Sequence, residues 1–442
     1  MTYDSRRSYA GPVEESSDGG YLAKAVLVTL FAWALLGKQL LFMLAIVLNV
    51  PTRVLTIPSH MATVGLALAS VVVVFFATRF RYFPLHWIVL PFSAFWMFYF
   101  MRIVIDYQAQ GSMFAPPKDA TYSVSYIAQK AIGTCLLPSV AVLLNTHWAA
   151  WRKTQTVCFT MAVLIAGSFF AIYRENIFSF SGRMNPGDET GDFATISSLQ
   201  LGYSGLVLLI FFLFMYFSER PKNVWKALLL YSVGAVGMLL IVGSASRGPV
   251  VGFVFMAVPF GFSLFFRGEP GKFIKFVVGV ATFGAIALIA AQLTGSSVFD
   301  RLLSIHHDVV SQSDQSDRLV FYENAWNSFL ESPIIGSQSS LGGYAYPHNL
   351  ILESLMAVGI VGTIPLLVVI GYAFYCSWAL LVRYPKLGWL SLAFYAYFCG
   401  SLFSGSLFSN AAFWISMAGT ISAYQWAARE MDEQEEEEAL RS

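Results

Sequence analysis

The sequence predicts an all-α polytopic membrane protein of about 12 transmembrane helices with one larger outside loop holding short amphipathic helices, and three observations predict it. Hydrophobic residues make up 57% of the 442-residue chain and charged residues 12%, with a mean hydropathy of +0.62. A soluble domain is roughly 45–50% apolar and about 25% charged. Apolar stretches long enough to cross a bilayer run almost from end to end. Lysine and arginine then collect in alternate connections. The net charge of +1 gives no global field that would attract nucleic acid.

A spanning helix needs about 20 mostly apolar residues. Such segments fall near 23–48, 61–79, 87–105, 123–146, 155–173, 194–217, 225–243, 249–266, 273–292, 350–381, 387–403 and 411–426. The first and tenth are long enough to be tilted or broken. Ser404-Gly405-Ser406 splits the last two. With a cytoplasmic N-terminus, inside connections carry 17 of the 27 Lys and Arg residues and outside ones carry 9, with Lys38 inside the first span. The chain thus divides into a cytoplasmic tail over 1–22, helices 1–9 over 23–292, an outside loop over 293–349, helices 10–12 over 350–426, and an acidic cytoplasmic tail over 427–442. The polar first 22 residues lack the apolar core of a cleaved signal. Cys135, Cys158, Cys376 and Cys399 all fall in apolar stretches and read as small buried hydrophobes.

Three outside features carry chemistry. Gly243-Ser-Ala-Ser-Arg247-Gly-Pro249 is a tight turn between two spans, leading to a helix start expected at Val250. An arginine this close to the hydrocarbon edge either meets a ligand or snorkels to lipid phosphate, and a helix start favours an anion. Second, Ser313-Asp-Gln-Ser-Asp317-Arg318 leads into a segment apolar at Leu319, Tyr322, Ala325, Trp326 and Phe329. That spacing reads as a surface-lying amphipathic helix, capped by Ser316 or Asp317. Arg318 at its start is either a ligand group or an exposed partner of Asp314 or Asp317. Third, Tyr344-Ala-Tyr-Pro-His348-Asn349 opens the tenth span, with Asn349 as its cap and Gly359 and Gly362 permitting close helix packing. A histidine there can act as a base, or be an inert interfacial residue.

Together, Ser246-Arg247-Gly248, Ser316-Asp317-Arg318 with Trp326, and His348-Asn349 running into Leu350, Glu353, Gly359 and Gly362 resemble the O-antigen ligase and polysaccharide polymerase (Wzy-type) superfamily over residues 195–385. Gly182-Arg183-Met-Asn-Pro186 resembles that family's upstream loop. The resemblance implies a bacterial inner-membrane glycosyltransferase of the membrane-embedded, GT-C-like class with its loop in the periplasm. It implies a polyprenyl-diphosphate-linked glycan as donor, a glycan or lipid as acceptor, and an inverting, metal-independent transfer without cofactor. His348 then corresponds to the general base, and Arg247 and Arg318 to the residues that hold the diphosphate. Arg183 and Glu353 are further candidates for substrate binding, Glu353 also for orienting the imidazole. A chain-length regulator or polysaccharide export complex is the partner such a protein would meet.

Two other clusters read as solvated loops rather than metal sites: His306-His307-Asp308, and Asp188, Glu189 and Asp192. Polymerase and ligase share one chemistry. The short stretch from Arg318 to His348 leaves little room to seat lipid A–core, which leans the reading to polymerase. A transporter is the competing class. It would place charged groups deep in the spans, where Lys38 is the main one.

Overall fold

The computed structural model describes residues 17–48, 50, 52–77, 87–110, 124–144, 148–173, 198–218, 223–297, 317–341 and 346–441. These form helices and connections, with no sheet among the described residues. The first span is α1 (Ser17–Ala32), a π-helical segment Trp33–Gly37, and α2 (Lys38–Val47). Then follow α3 (Thr52–Ala77), α4 (Val89–Gln110), α5 (Val124–Lys130), a second π segment Ala131–Leu136, α6 (Leu137–Leu144) and α7 (Trp148–Tyr173). The second half holds α8 (Ser198–Ser218), α9 (Val224–Ser244), α10 (Arg247–Phe266), α11 (Pro270–Thr294), α12 (Asp317–Glu331), α13 (Leu350–Val382), α14 (Gly388–Phe403) and α15 (Ala411–Arg441).

Nine helical stretches among the described residues are long and apolar enough to cross a membrane, which makes this a multi-pass membrane protein. The segments 155–173, 387–403 and 411–426 fall on α7, α14 and α15. The last is apolar only in part for a physical reason. It lies inside the protein, not in lipid, so Ser416, Thr420 and Ser422 are fully buried. Their needs are met locally, as when the Ser416 hydroxyl donates to Phe413 O and that of Thr420 to Leu390 O. Trp414 of the same helix packs on Trp96 of α4 at 4.8 Å and stacks on Phe95 at 5.6 Å. The helix runs on to Arg441, so the acidic stretch after residue 430 is helical. Likewise α1 begins at Ser17, inside the segment expected to be a tail. All four cysteines are buried and unbonded to one another.

Small residues set the closest helix contacts. A Cβ built on Gly205 of α8 would lie 2.5 Å from Gly237 O of α9, and one on Gly202 2.5 Å from the ring of Pro249. Only glycine lets these backbones approach so far, and the α9–α10 turn is pinned against α8 as a result.

The long tenth span is indeed broken. Gly359 has φ 60° and ψ −164°, a conformation open essentially to glycine alone. Its role is this kink rather than helix packing. The break frees backbone groups that hydrocarbon cannot satisfy, and the segment after α12 supplies partners. Ile360 N donates to Pro333 O at 2.9 Å, Val361 N to Ile334 O at 3.1 Å, and Ser337 N to Met356 O at 2.8 Å. Arg102 of α4 completes the set. Its Nε donates to Ala357 O at 3.1 Å, Nη1 to Ser337 O at 3.0 Å, and Nη2 to Gly336 O at 2.6 Å and Ile335 O at 3.3 Å. Asp106, one turn on, pairs with Arg102 at 3.6 Å and accepts from Ser339 N at 2.6 Å. Arg102 is thus a buried clamp that seats the loop following α12 on the kink of α13.

Candidate functional site

The α9–α10 turn is built from its serines. Ser244 Oγ donates to Ile241 O at 2.8 Å and accepts from Ser246 N at 3.3 Å, while Ser246 Oγ donates to Ser244 O at 3.2 Å. Ser246 is the N-cap of α10, yet its side chain makes no capping bond to the helix. The first-turn N–H groups of α10 are therefore not closed off by their own cap residue, which suits an anion at that end. The helix starts at Arg247, three residues earlier than the expected Val250, so Arg247 itself is its first residue and is half-buried.

His348 stands immediately before Asn349, the N-cap of α13. Asn349 caps this helix as expected, its Oδ1 accepting from Ile351 N at 3.1 Å and Leu352 N at 3.0 Å. Its Nδ2 donates to Leu402 O at 3.2 Å, tying the head of α13 to the end of α14. The imidazole is half-buried, 4.4 Å from the Tyr346 ring and 5.9 Å from Phe321 of α12, centroid to centroid. His348 has φ 56° and Ala245, two residues before Arg247, has φ 46°. Among the described residues they are the two non-glycine positions with positive φ, and each belongs to one of the motifs singled out above. Strain of this kind persists where surrounding structure enforces it, and functional sites are where it clusters.

The two motifs share one end of the bundle. Gly252 of α10 faces Ala396 O of α14, and farther along Tyr203 Oη of α8 is wedged between Gly248 and Gly400, 3.1 Å from where a Cβ on Gly248 would stand. So α10 runs antiparallel to α14, and the start of the one meets the end of the other. That end of α14 is where Asn349 binds. The loop joining α14 to α15 closes the circle. Ser404 Oγ lies 3.5 Å from Tyr203 Oη, Phe408 packs on Tyr346 at 5.7 Å, and Leu407 O accepts from Trp414 Nε1 at 2.9 Å.

Helix α12 brings in the third motif. Arg318 is its second residue, one turn before Phe321, the residue that packs on His348. Ala325 and Phe329 are buried as expected, with Ala325 against Leu341 and Met356, but Leu319 and Trp326 are exposed and Phe321 joins the packed face instead. The helix is thus rotated relative to the expected stripe, because its partner is the head of α13. Glu353 is fully buried, and its Oε2 accepts from Leu407 N at 3.0 Å. Its bond goes to the α14–α15 loop and not to the imidazole. Arg183, His306-His307-Asp308, and Asp188, Glu189 and Asp192 lie outside the described residues.

Sequence reasoning missed Arg102, Asp106 and Tyr203. An Arg-x-x-x-Asp pair inside an otherwise apolar span was the available signal for the first two, since two charges there need each other. Nothing in the sequence marks Tyr203, whose position follows from the glycines around it. Comparison with curated proteins gave no match. The model of the O-antigen ligase family, Wzy_C, matches residues 234–367. That stretch is narrower than 195–385 but takes in Arg247, Arg318, His348, Glu353 and Gly359, and leaves out Arg183 and Arg102. Residues 234–367, the stretch that holds the Arg247 turn, α12 and the head of α13, are therefore similar to the O-antigen ligase family.

Proposed function

We propose that this protein transfers a glycan from a polyprenyl-diphosphate carrier to an acceptor hydroxyl at the outer face of the bacterial inner membrane, with both termini in the cytoplasm. The observation that carries it is the meeting of the Arg247 turn, the strained His348 and the start of α12 at one end of the bundle. On this reading the bond between the anomeric carbon and the diphosphate oxygen breaks, and that oxygen keeps the electron pair. Arg247, with the open N-terminus of α10, and Arg318 hold the charge that develops there. The acceptor oxygen attacks from the opposite face, inverting the centre, while its proton passes to the His348 imidazole. The two guanidinium groups take the part a divalent cation plays in many sugar transferases. Asn349 and Glu353 act as positioning residues, fixing the head of α13 and the α14–α15 loop around the histidine.

Within this chemistry the reading leans to polymerisation of a surface polysaccharide, the acceptor being the next lipid-linked repeat. The test is transfer by purified protein supplied with polyprenyl-diphosphate glycan and, separately, the lipid-linked repeat or lipid A–core. Extension of the repeat is expected. Transfer to lipid A–core alone would make the protein a ligase, and movement of glycan across vesicles with no covalent product would overturn the enzyme reading.

A further inference from the structure

A cavity of about 340 Å3 opens at the same end of the bundle, between the first span, α8, and the end of α14 with its following loop. Its wall holds Lys38, Gln39, Gln200, Tyr203, Ser404 and Asn410. We propose that this cavity is a second substrate site, in which Lys38 holds an anionic group of the acceptor glycan; only the word acceptor rests on the transfer reading above.

The wall is largely apolar, from Leu35, Phe42, Met43 and Leu199, but it carries polar groups that a sugar can use. Three amides, two hydroxyls and an ammonium offer donors and acceptors, and the Tyr203 ring, stacked on Tyr397 at 6.1 Å, gives an aromatic face. Charge points the same way. Lys38 sits within a span, with its ammonium 5.6 Å from the Phe42 ring, and no carboxylate among the described residues forms an ion pair with it. Lys130, in the fourth span, meets the His60 ring. An ammonium within a span without an acid partner is costly, and an anion brought by a ligand offsets that cost. The backbone supplies an independent sign. Lys38 directly follows one π-helical segment and Lys130 directly precedes the other. Such bulges re-aim side chains within a helix and recur at functional sites.

The position also fits. Tyr203 lines the cavity and touches Gly248 beside Arg247, so an occupant would lie next to the proposed diphosphate site. A reaction that joins two membrane-held glycans has two anionic partners to place, and one pair of arginines serves only the donor. The anion on the acceptor is either its carrier diphosphate or a carboxylate on its sugars.

The test uses full-length protein in phosphatidylcholine nanodiscs, with wild type, K38M, K38R and R247A, and thermal unfolding to verify each fold. Two probes are titrated: undecaprenyl diphosphate without glycan, and tri-galacturonic acid without lipid. If the anion is the diphosphate, wild type binds two undecaprenyl diphosphates per chain, K38M and R247A bind one each, and K38R binds two. If it is a sugar carboxylate, K38M binds tri-galacturonic acid at least about tenfold more weakly than wild type while R247A does not. Q200L, on the opposite wall, carries the same expectation, so a K38M that fails to fold leaves the test standing. Equal binding of both probes by wild type, K38M and Q200L overturns the site, and it does so whether or not the protein transfers glycan.

Discussion

Arg102→Ala separates the clamp described here from an incidental buried charge. The guanidinium makes four hydrogen bonds to backbone carbonyls within 3.3 Å and pairs with Asp106. A hydrogen bond to a charged group is worth about 1.5–3 kcal/mol, but burying the guanidinium offsets much of that sum. Removing one member of a buried pair has a net effect of about 3–5 kcal/mol, because the partners are left without compensation. Here those partners are four carbonyls and the Asp106 carboxylate. An unfolding entropy near ~0.9 kcal/mol/K for a chain of this length turns that into a fall in Tm of about 3–5 °C. A denatured state that keeps its helices in detergent has a smaller entropy change and a larger shift. Differential scanning fluorimetry of purified R102A, D106A and the double variant reads the effect directly. The double variant should lose clearly less than the two single losses added, since each single change strands the other group. Arg102→Lys should recover only part of the stability, because three donors on one nitrogen cannot span four carbonyls as the planar fork does. R102A melting with wild type, or full additivity in the double variant, would refute the clamp.

Two further outcomes follow from the same geometry. Arg247→Lys and Arg318→Lys keep the charge but lose the two-pronged grip on phosphate, so each should weaken undecaprenyl diphosphate binding by about tenfold in nanodiscs, with unchanged melting. Gly359→Ala places a side chain where φ is 60° and ψ −164°, which costs about 1–3 kcal/mol in backbone strain before its collision with the segment at Ile334. A lower Tm and loss of glycan transfer together are expected, measured on the same preparation.

Most of the fold was legible because its signal is additive. Runs of about 20 apolar residues locate spans without any knowledge of packing, and the observed helices follow the predicted segments to within a few residues, except where α1, α3, α4, α7 and α15 extend further. Asn349 was readable as a cap for the same reason, since capping is decided within four residues. What escaped depends on partners far apart in the chain. Arg102 meets carbonyls more than 230 residues away, and Glu353 turns from the nearby histidine to Leu407. The rotation of α12 is of this kind too. Its apolar stripe fits more than one face, and contact with His348 and Met356 chooses the one through Phe321 and Ala325. The left-handed conformation at Ala245 leaves no trace in residue type.

His348→Asn is the most direct measurement of the central claim. Asparagine tolerates a positive φ better than alanine does, so the strained backbone at 56° is kept while the imidazole is removed. With donor at saturation, initial rates of glycan transfer should fall by about a hundred- to ten-thousandfold, with the melting temperature and undecaprenyl diphosphate binding of wild type. Transfer by a folded H348N at the wild-type rate would contradict the assignment of that imidazole as the base.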